Sequence, residues 1–281
     1  MTSQLPCPSQ PDTVVIADPG MRMIFGHHFN YNTLFWAGFL AHGIPTDFLL
    51  HREMPQELRR FFPKAAYVLE GNFYAAAHLN EGPLSEIMPH ASAFAAEIER
   101  VFNPKPNQLF FAHTLDPIRL TGLGLWYSRQ PRHKKIRLAL NVMLGVNDAK
   151  VGRAALKPAV RLFAGEEKVR LFGASKSIAA LLTELSGKPC AMLPTPLPTA
   201  LEDAASVFKD DATEQSRLLF GVTGDARRGK NLHVLPAAII RYLREGGKGN
   251  FRIQMTPSEV EAHPEVIALA EVATLFPQRV Q

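Results

Sequence analysis

Cysteine is nearly absent from this sequence: there are 2 in 281 residues, Cys7 and Cys190, far apart and at no metal-ligand spacing. That excludes a disulfide framework and a structural zinc site, and it fits a reducing compartment. Long apolar runs are missing too; none approaches the roughly 20 residues that a membrane-spanning helix needs. The opening MTSQLPCPSQPD has neither the basic nor the apolar region of a signal peptide, so the expected location is the cytoplasm. No Gly-x-Gly-x-x-Gly follows the first strand pattern and no Walker lysine motif occurs, which removes two familiar phosphate-loop signatures. No cluster of metal ligands is visible, and neither a metal nor a cofactor is expected.

What is present describes a folded chain with a basic balance. With 46% hydrophobic and 20% charged residues, it can bury a sizeable core and is long enough for two domains. A formal net charge of +5 favours anionic partners, among them nucleotide phosphates and a peripheral anionic membrane surface. Its basic residues are scattered and form no recognisable binding motif, so nucleic acid is not expected. Oligomeric state leaves no mark that can be read.

Residues 1–12 read as a loose, polar leader. The β-branched run at residues 14–17 is a first strand, closed by Asp18-Pro19-Gly20, where Asp18 reads as a turn residue. A loop over residues 21–32 follows, holding Gly26, His27, His28, Asn30 and Asn32, and then a helix over residues 33–42 capped by Gly43. A second strand at residues 47–50 completes a parallel βαβ unit, whose ligands lie at the carboxyl ends of the strands. The unit repeats with variations. Strands are expected at residues 66–69, 107–112, 136–144, 169–172 and 191–193. One long helix before residue 103 should be interrupted or delayed by Pro89, and a second over residues 118–128 carries Gly122 and Gly124, which would let it approach the sheet. His113 and Asp116 stand at the exit of the strand between those helices, and Ser175 reads as the cap of a helix over residues 178–185. Three prolines at residues 194–198 start a stiff crossing into a polar stretch.

The stretch LLFGVTGDARRGKNLHVL, residues 218–235, reads as a strand, a basic loop in which Gly221 and Gly224 mark a turn, and a helix start. Free N–H groups at a helix N-terminus together with Arg227, Arg228 and Lys230 suit an anion, above all a diphosphate. The same order of residues also describes a solvated strand-to-helix connection, and His27, His28 and His113 can equally be locally bonded histidines.

Together with GASKSIAALLTEL and a strand ending in LPTPLP, this stretch resembles the two-domain GT-B glycosyltransferases, specifically the glycosyl transferases group 1 family. The resemblance implies an α/β chain of two Rossmann-like domains in GT-B arrangement, the second incomplete: an N-terminal acceptor-side domain at 13–198, a linker at 199–215 and the start of a nucleotide-sugar-binding domain at 216–281. It implies a hexosyltransferase-type enzyme, with a retaining mechanism, that moves a sugar from a nucleotide-sugar donor to a glycan or lipid-linked acceptor without a cofactor. Lys230 matches the family's lysine. The family's arginine position falls on Asp225, so Arg227 or Arg228 would take that role from a shifted loop. Gly26, Gly221 and Gly224 would join them around the donor phosphates, and His27, His28 and His113 would be the catalytic candidates on the acceptor side. The family's glutamate loop has no counterpart before Gln281, which implies a truncated chain that is inactive alone. A non-catalytic GT-B relative serving as partner or regulatory subunit is the alternative, and an unrelated nucleotide-binding α/β enzyme is the second.

Overall fold

The computed structural model describes residues 10–22, 27–71, 84–143, 149–194, 196, 219–222, 232–253 and 264–280. The chain divides into two compact units, Met1–Pro198 and Thr199–Gln281. In the first, seven strands form one parallel sheet: β1 (Thr13–Asp18), β2 (Thr46–His51), β3 (Ala65–Leu69), β4 (Gln108–Leu115), β5 (Arg137–Val142), β6 (Val169–Gly173) and β7 (Ala191–Met192). Their order is β3-β2-β1-β4-β5-β6-β7. From β1 the chain winds outward through β2 to β3, then returns to lay β4 on the other side of β1 and winds outward again. That reversal leaves a crevice at the carboxyl ends of β1 and β4, where doubly wound sheets take their ligands. Both strands are apolar along almost their whole length because both faces are covered, as a parallel sheet requires.

The helices of this unit are α1 (His27–Ala41), the short α2 (Gln56–Arg59), α3 (Leu84–Val101), α4 (Pro117–Arg129), α5 (Ala149–Arg161) and α6 (Lys176–Ser186). The start of α1 corrects the sequence reading. His27, His28, Asn30 and Asn32 lie in its first turns, not in a loop, because His28, Tyr31, Asn32, Phe35 and Phe39 recur at helical spacing. Helix α3 runs through Pro89 without a break. The proline forfeits a backbone hydrogen bond near the described start of the helix, and the buried stripe of Ile87, Ala91, Phe94, Ala95 and Ile98 offsets its cost of about 3 kcal/mol. Helix α5 has no counterpart in the sequence reading, since Gly152 and Pro158 look like breakers. Burial of Ala155, Leu156, Ala159 and Val160 holds it in place.

Helix α4 is the middle of this layer. Asp116 caps it, accepting from the Arg119 N–H at 2.8 Å, and Pro117 supplies a first-turn φ. Its own Trp126 and Tyr127 are wholly buried. Gly122 and Gly124 admit neighbouring helices, not the sheet as expected: a Cβ on Gly122 would lie 2.7 Å from the Ala91 carbonyl oxygen of α3, and one on Gly124 would lie 2.7 Å from Leu162, just past α5.

The second unit has β8 (Leu219–Val222) parallel to β9 (Asn250–Ile253), with α7 (Leu235–Arg244) and α8 (Pro264–Leu275) packed on a core of Ile239, Phe251, Leu269, Val272 and Val280. An isolated parallel bridge joins Phe251 to Val280. Gly221 is not a turn residue. It sits inside β8, paired with Arg252, with open space where a side chain would be. Among the described residues no helix is long and apolar enough to cross a membrane.

Gly122→Ala should lower stability by about 1–3 kcal/mol in urea unfolding, because the overlap with the α3 carbonyl outweighs the gain in helix propensity. An unchanged midpoint would show that α3 and α4 can move apart freely.

Candidate functional site

The crevice between β1 and β4 is floored by a buried polar cluster. Asp18 is the last residue of β1 and is 1% exposed. Its Oδ1 accepts from the Gly20 N–H at 2.9 Å and from His28 Nδ1 at 2.8 Å, and its Oδ2 accepts from Asn32 Nδ2 at 2.6 Å. His113, inside β4 and fully buried, places Nε2 3.1 Å from Asn32 Oδ1 and 3.5 Å from Asp18 Oδ2.

The network assigns the protons. Asn32 spends its amide hydrogens on Asp18 and on the His28 carbonyl, so its Oδ1 accepts and His113 Nε2 carries hydrogen. The Thr114 hydroxyl, 2.8 Å from Nδ1, can then donate to it, and His113 is satisfied as a neutral ring. Tyr31 and Phe111 meet that ring and Phe35 stacks on it, 5.7 Å between centroids. Asn141 Nδ2 holds the His113 carbonyl at 2.8 Å from β5. Burial is the main reason the His113 pKa falls to about 4; Asp18 opposes the shift, and His28 and His27 add to it. For Asp18, burial alone would raise the pKa. The charges of His28 and His113 and hydrogen bonds from His28 and Asn32 outweigh it and hold the carboxyl well below the usual range.

The backbone is fitted to this cluster. A Cβ on Gly20 would lie 2.1 Å from His28 Cε1, so the imidazole lies directly on the glycine. On its other side His28 stacks on His27, 4.3 Å between centroids. His27 is half-buried, whereas His28 and His113 are sealed. Thus the structure brings His27, His28 and His113 together. Gly26, Gly224, Arg227, Arg228 and Lys230 lie outside the described residues, and Gly221 lies in β8 of the other unit.

Sequence reasoning missed Asp18 and Asn32. Asp18 is the hub of the cluster, not merely a turn residue. The available signal was two polar side chains, His28 and Asn32, one helical turn apart on the stripe that continues as Phe35 and Phe39. Asp116, also read as a turn residue, is buried as the cap of α4 and pairs with Arg119 Nη1 at 2.6 Å.

Neither a family description nor a curated protein sequence matches the chain. Among solved structures it is similar to an alpha,alpha-trehalose-phosphate synthase (UDP-forming) from Burkholderia vietnamiensis, with a TM-score of 0.53 and 10% identity, over 97% of this chain and 73% of that one. Weaker similarity, a TM-score of 0.49 at 10% identity over 95% of this chain and 71% of the other, links it to the N-terminal domain of a Candida albicans trehalose-6-phosphate phosphatase. At such identity the likeness concerns the fold, which is Rossmann-like and of the GT-B type.

The His113 shift makes a pH prediction. The unfolded chain takes up this proton near pH 6.5, while the folded chain resists until about 4, so stability present above pH 6.5 is lost as pH falls toward 4. Asp18 acts in the same direction further down: its contribution is complete above its unfolded value of about 3.9 and is lost as pH falls below it. Urea midpoints should drop between pH 7 and pH 5. His113→Gln should be less stable at pH 7 and show a shallower drop; equal slopes would mean that His113 is not held neutral.

Proposed function

We propose that this chain is a glycosyltransferase, or the greater part of one, that transfers a sugar from a nucleotide-sugar donor to a glycan or lipid-linked acceptor. The observation that carries the reading is the Asp18-centred cluster at the β1/β4 switch point of a GT-B-type fold. Glycosyl transfer requires the nucleotide diphosphate to leave, and positive charge aimed at the developing phosphate charge lowers that barrier. Arg227, Arg228 and Lys230 supply it in this proposal, with Gly26, Gly221 and Gly224 lining the donor side. An acceptor hydroxyl approaches near His27, the histidine of the three with exposed surface. His28 and His113 hold the floor of the crevice behind it. In the retaining course proposed here, the departing phosphate itself takes the acceptor proton. The reading places the reaction in the cytoplasm or at the surface of a membrane facing it.

One observation favours a second reading. His113 is 0% exposed and His28 is 3% exposed, so in this conformation neither offers a reacting group to a substrate. A GT-B relative that keeps the fold and a phosphate site while acting as a partner subunit fits that burial equally well.

The test is thermal unfolding of the full chain with UDP, GDP, ADP and the matching sugar nucleotides, alongside Lys230→Ala. One nucleotide at about a hundredfold its Kd should raise the midpoint of the parent by roughly 5 °C and leave the variant unmoved. An equal rise in both would place the diphosphate elsewhere. No rise with any donor, in this chain and in any longer natural form, would leave the non-catalytic reading.

A further inference from the structure

At the opposite end of the sheet the chain builds a second polar concavity. Between Asp116 and Asp148 the sequence has no acidic residue, and that span carries Arg119, Arg129, Arg132, Lys134, Lys135 and Arg137. The fold turns part of this run, the 3-10 turn Arg132–Lys134 and the residues leading into β5, toward the segments that lead into β4 and β6. Between them lies a groove of about 650 Å3 whose cationic lining is Lys105, Lys134, Lys135, Arg137 and Lys168, with His133 at the same wall. The strands of this sheet place it about 20 Å from the Asp18 cluster, at their amino ends.

The walls are held by bonds between the segments, most of them to backbone carbonyls. Asn107, in the left-handed region at φ 59°, turns the segment before β4; its carbonyl accepts from the Asp12 N–H at 3.2 Å and faces Arg137 Nη2 at 3.5 Å. Lys168 Nζ donates to the Lys135 carbonyl at 2.7 Å, which ties the segments before β5 and β6 together. Lys135 is ion-paired with Glu166, and its ammonium lies 4.9 Å from the centre of the Tyr127 ring. No acidic side chain pairs with Lys105, Arg132 or Lys134 among the described residues.

We infer that this groove binds a ligand bearing phosphate groups. Lys105 and Lys134 line it with no acidic partner among the described residues, beside Lys135, Arg137 and Lys168, so the complementary guest carries more than one negative charge, which a phosphate ester or diphosphate does and a lone carboxylate does not. No Phe, Tyr or Trp lines the groove, which leaves only His133 and the Arg137 guanidinium among its lining to stack on a nucleobase and disfavours single-stranded nucleic acid. The phosphate belongs either to the headgroup of an anionic lipid or to a soluble polyphosphate. This inference is independent of the glycosyltransferase reading and concerns a different end of the molecule.

The test uses the full chain, the charge-reversal pair Lys105→Glu with Lys134→Glu, and a control pair of equal charge change outside the groove, Lys64→Glu with Lys248→Glu. All four positions are exposed, and unchanged circular dichroism and urea midpoints would verify folding. Three probes are offered: vesicles of phosphatidylcholine with and without phosphatidylglycerol in sedimentation, inorganic pyrophosphate in calorimetry, and a single-stranded oligonucleotide. The parent and the control pair should bind either the phosphatidylglycerol vesicles or pyrophosphate, with affinity that falls as salt rises, and the groove pair should bind at least tenfold more weakly. Vesicle binding without pyrophosphate binding assigns the headgroup; the converse assigns the soluble ligand. Pyrophosphate can also occupy the donor loop proposed above, so calorimetry is repeated in the Lys230→Ala background, where the groove pair should still weaken binding at least tenfold; loss of the donor site and loss of this groove are then read separately. Equal weakening in both charge pairs, binding to neither phosphate probe, or preference for the oligonucleotide over pyrophosphate would each overturn the inference.

Discussion

The carboxylate of Asp18 is a charge with almost no access to water, at the end of the strand on which the sheet reverses direction. Such a group is tolerated in a protein interior only if its lone pairs are answered. Here three donors answer them, and each commits a different part of the fold. The Gly20 N–H sets the turn out of β1. His28 and Asn32 set the rotation of α1 about its axis. Through the Asn32 carbonyl the same network reaches His113 and fixes its protonation state, and through the His113 backbone it reaches Asn141 of β5. The crevice is therefore defined by polar satisfaction at its floor, while the aromatic residues of α1 supply the packing around it.

The parallel α/β class and much of the strand positions were legible in the sequence, because strands buried on both faces need uninterrupted apolar runs. The caps were legible for local reasons: Gly43 and Gly187 adopt the left-handed backbone that a helix end favours, and the Ser175 hydroxyl accepts from the Ile178 N–H. Polar residues within helices were the harder case. His27 to Asn32 resemble a loop until their partners are known, and Asn32 and His113 are 81 positions apart. Likewise Pro89 and Pro158 look like breaks when the apolar stripes beneath them are weighed one residue at a time. The candidate site was thus half visible: its histidines could be singled out, whereas the aspartate and asparagine that orient them could not.

The sheet separates two kinds of polar construction. At the carboxyl ends Asp18, His28 and His113 are buried and joined in one hydrogen-bond network. At the amino ends the groove lining is cationic, and Lys105 and Lys134 are exposed and have no acidic partner among the described residues. Packed apolar strands join the two ends, so either could change its ligand chemistry without disturbing the other.

The order of the strands also bears on how the chain reaches this state. Helix α1 follows β1 immediately, but the residue that completes its anchor, His113, is not available until β4 has crossed back over the edge of the sheet. Contacts between distant parts of the chain form slowly. Until they form, Phe29 and Trp36 can already meet Phe48, Phe61 and Phe62, but Phe35 and Phe39 lack Phe111 and Tyr31 lacks His113. On a ribosome, that leaves the β4-facing side of the helix uncovered while some eighty further residues are made.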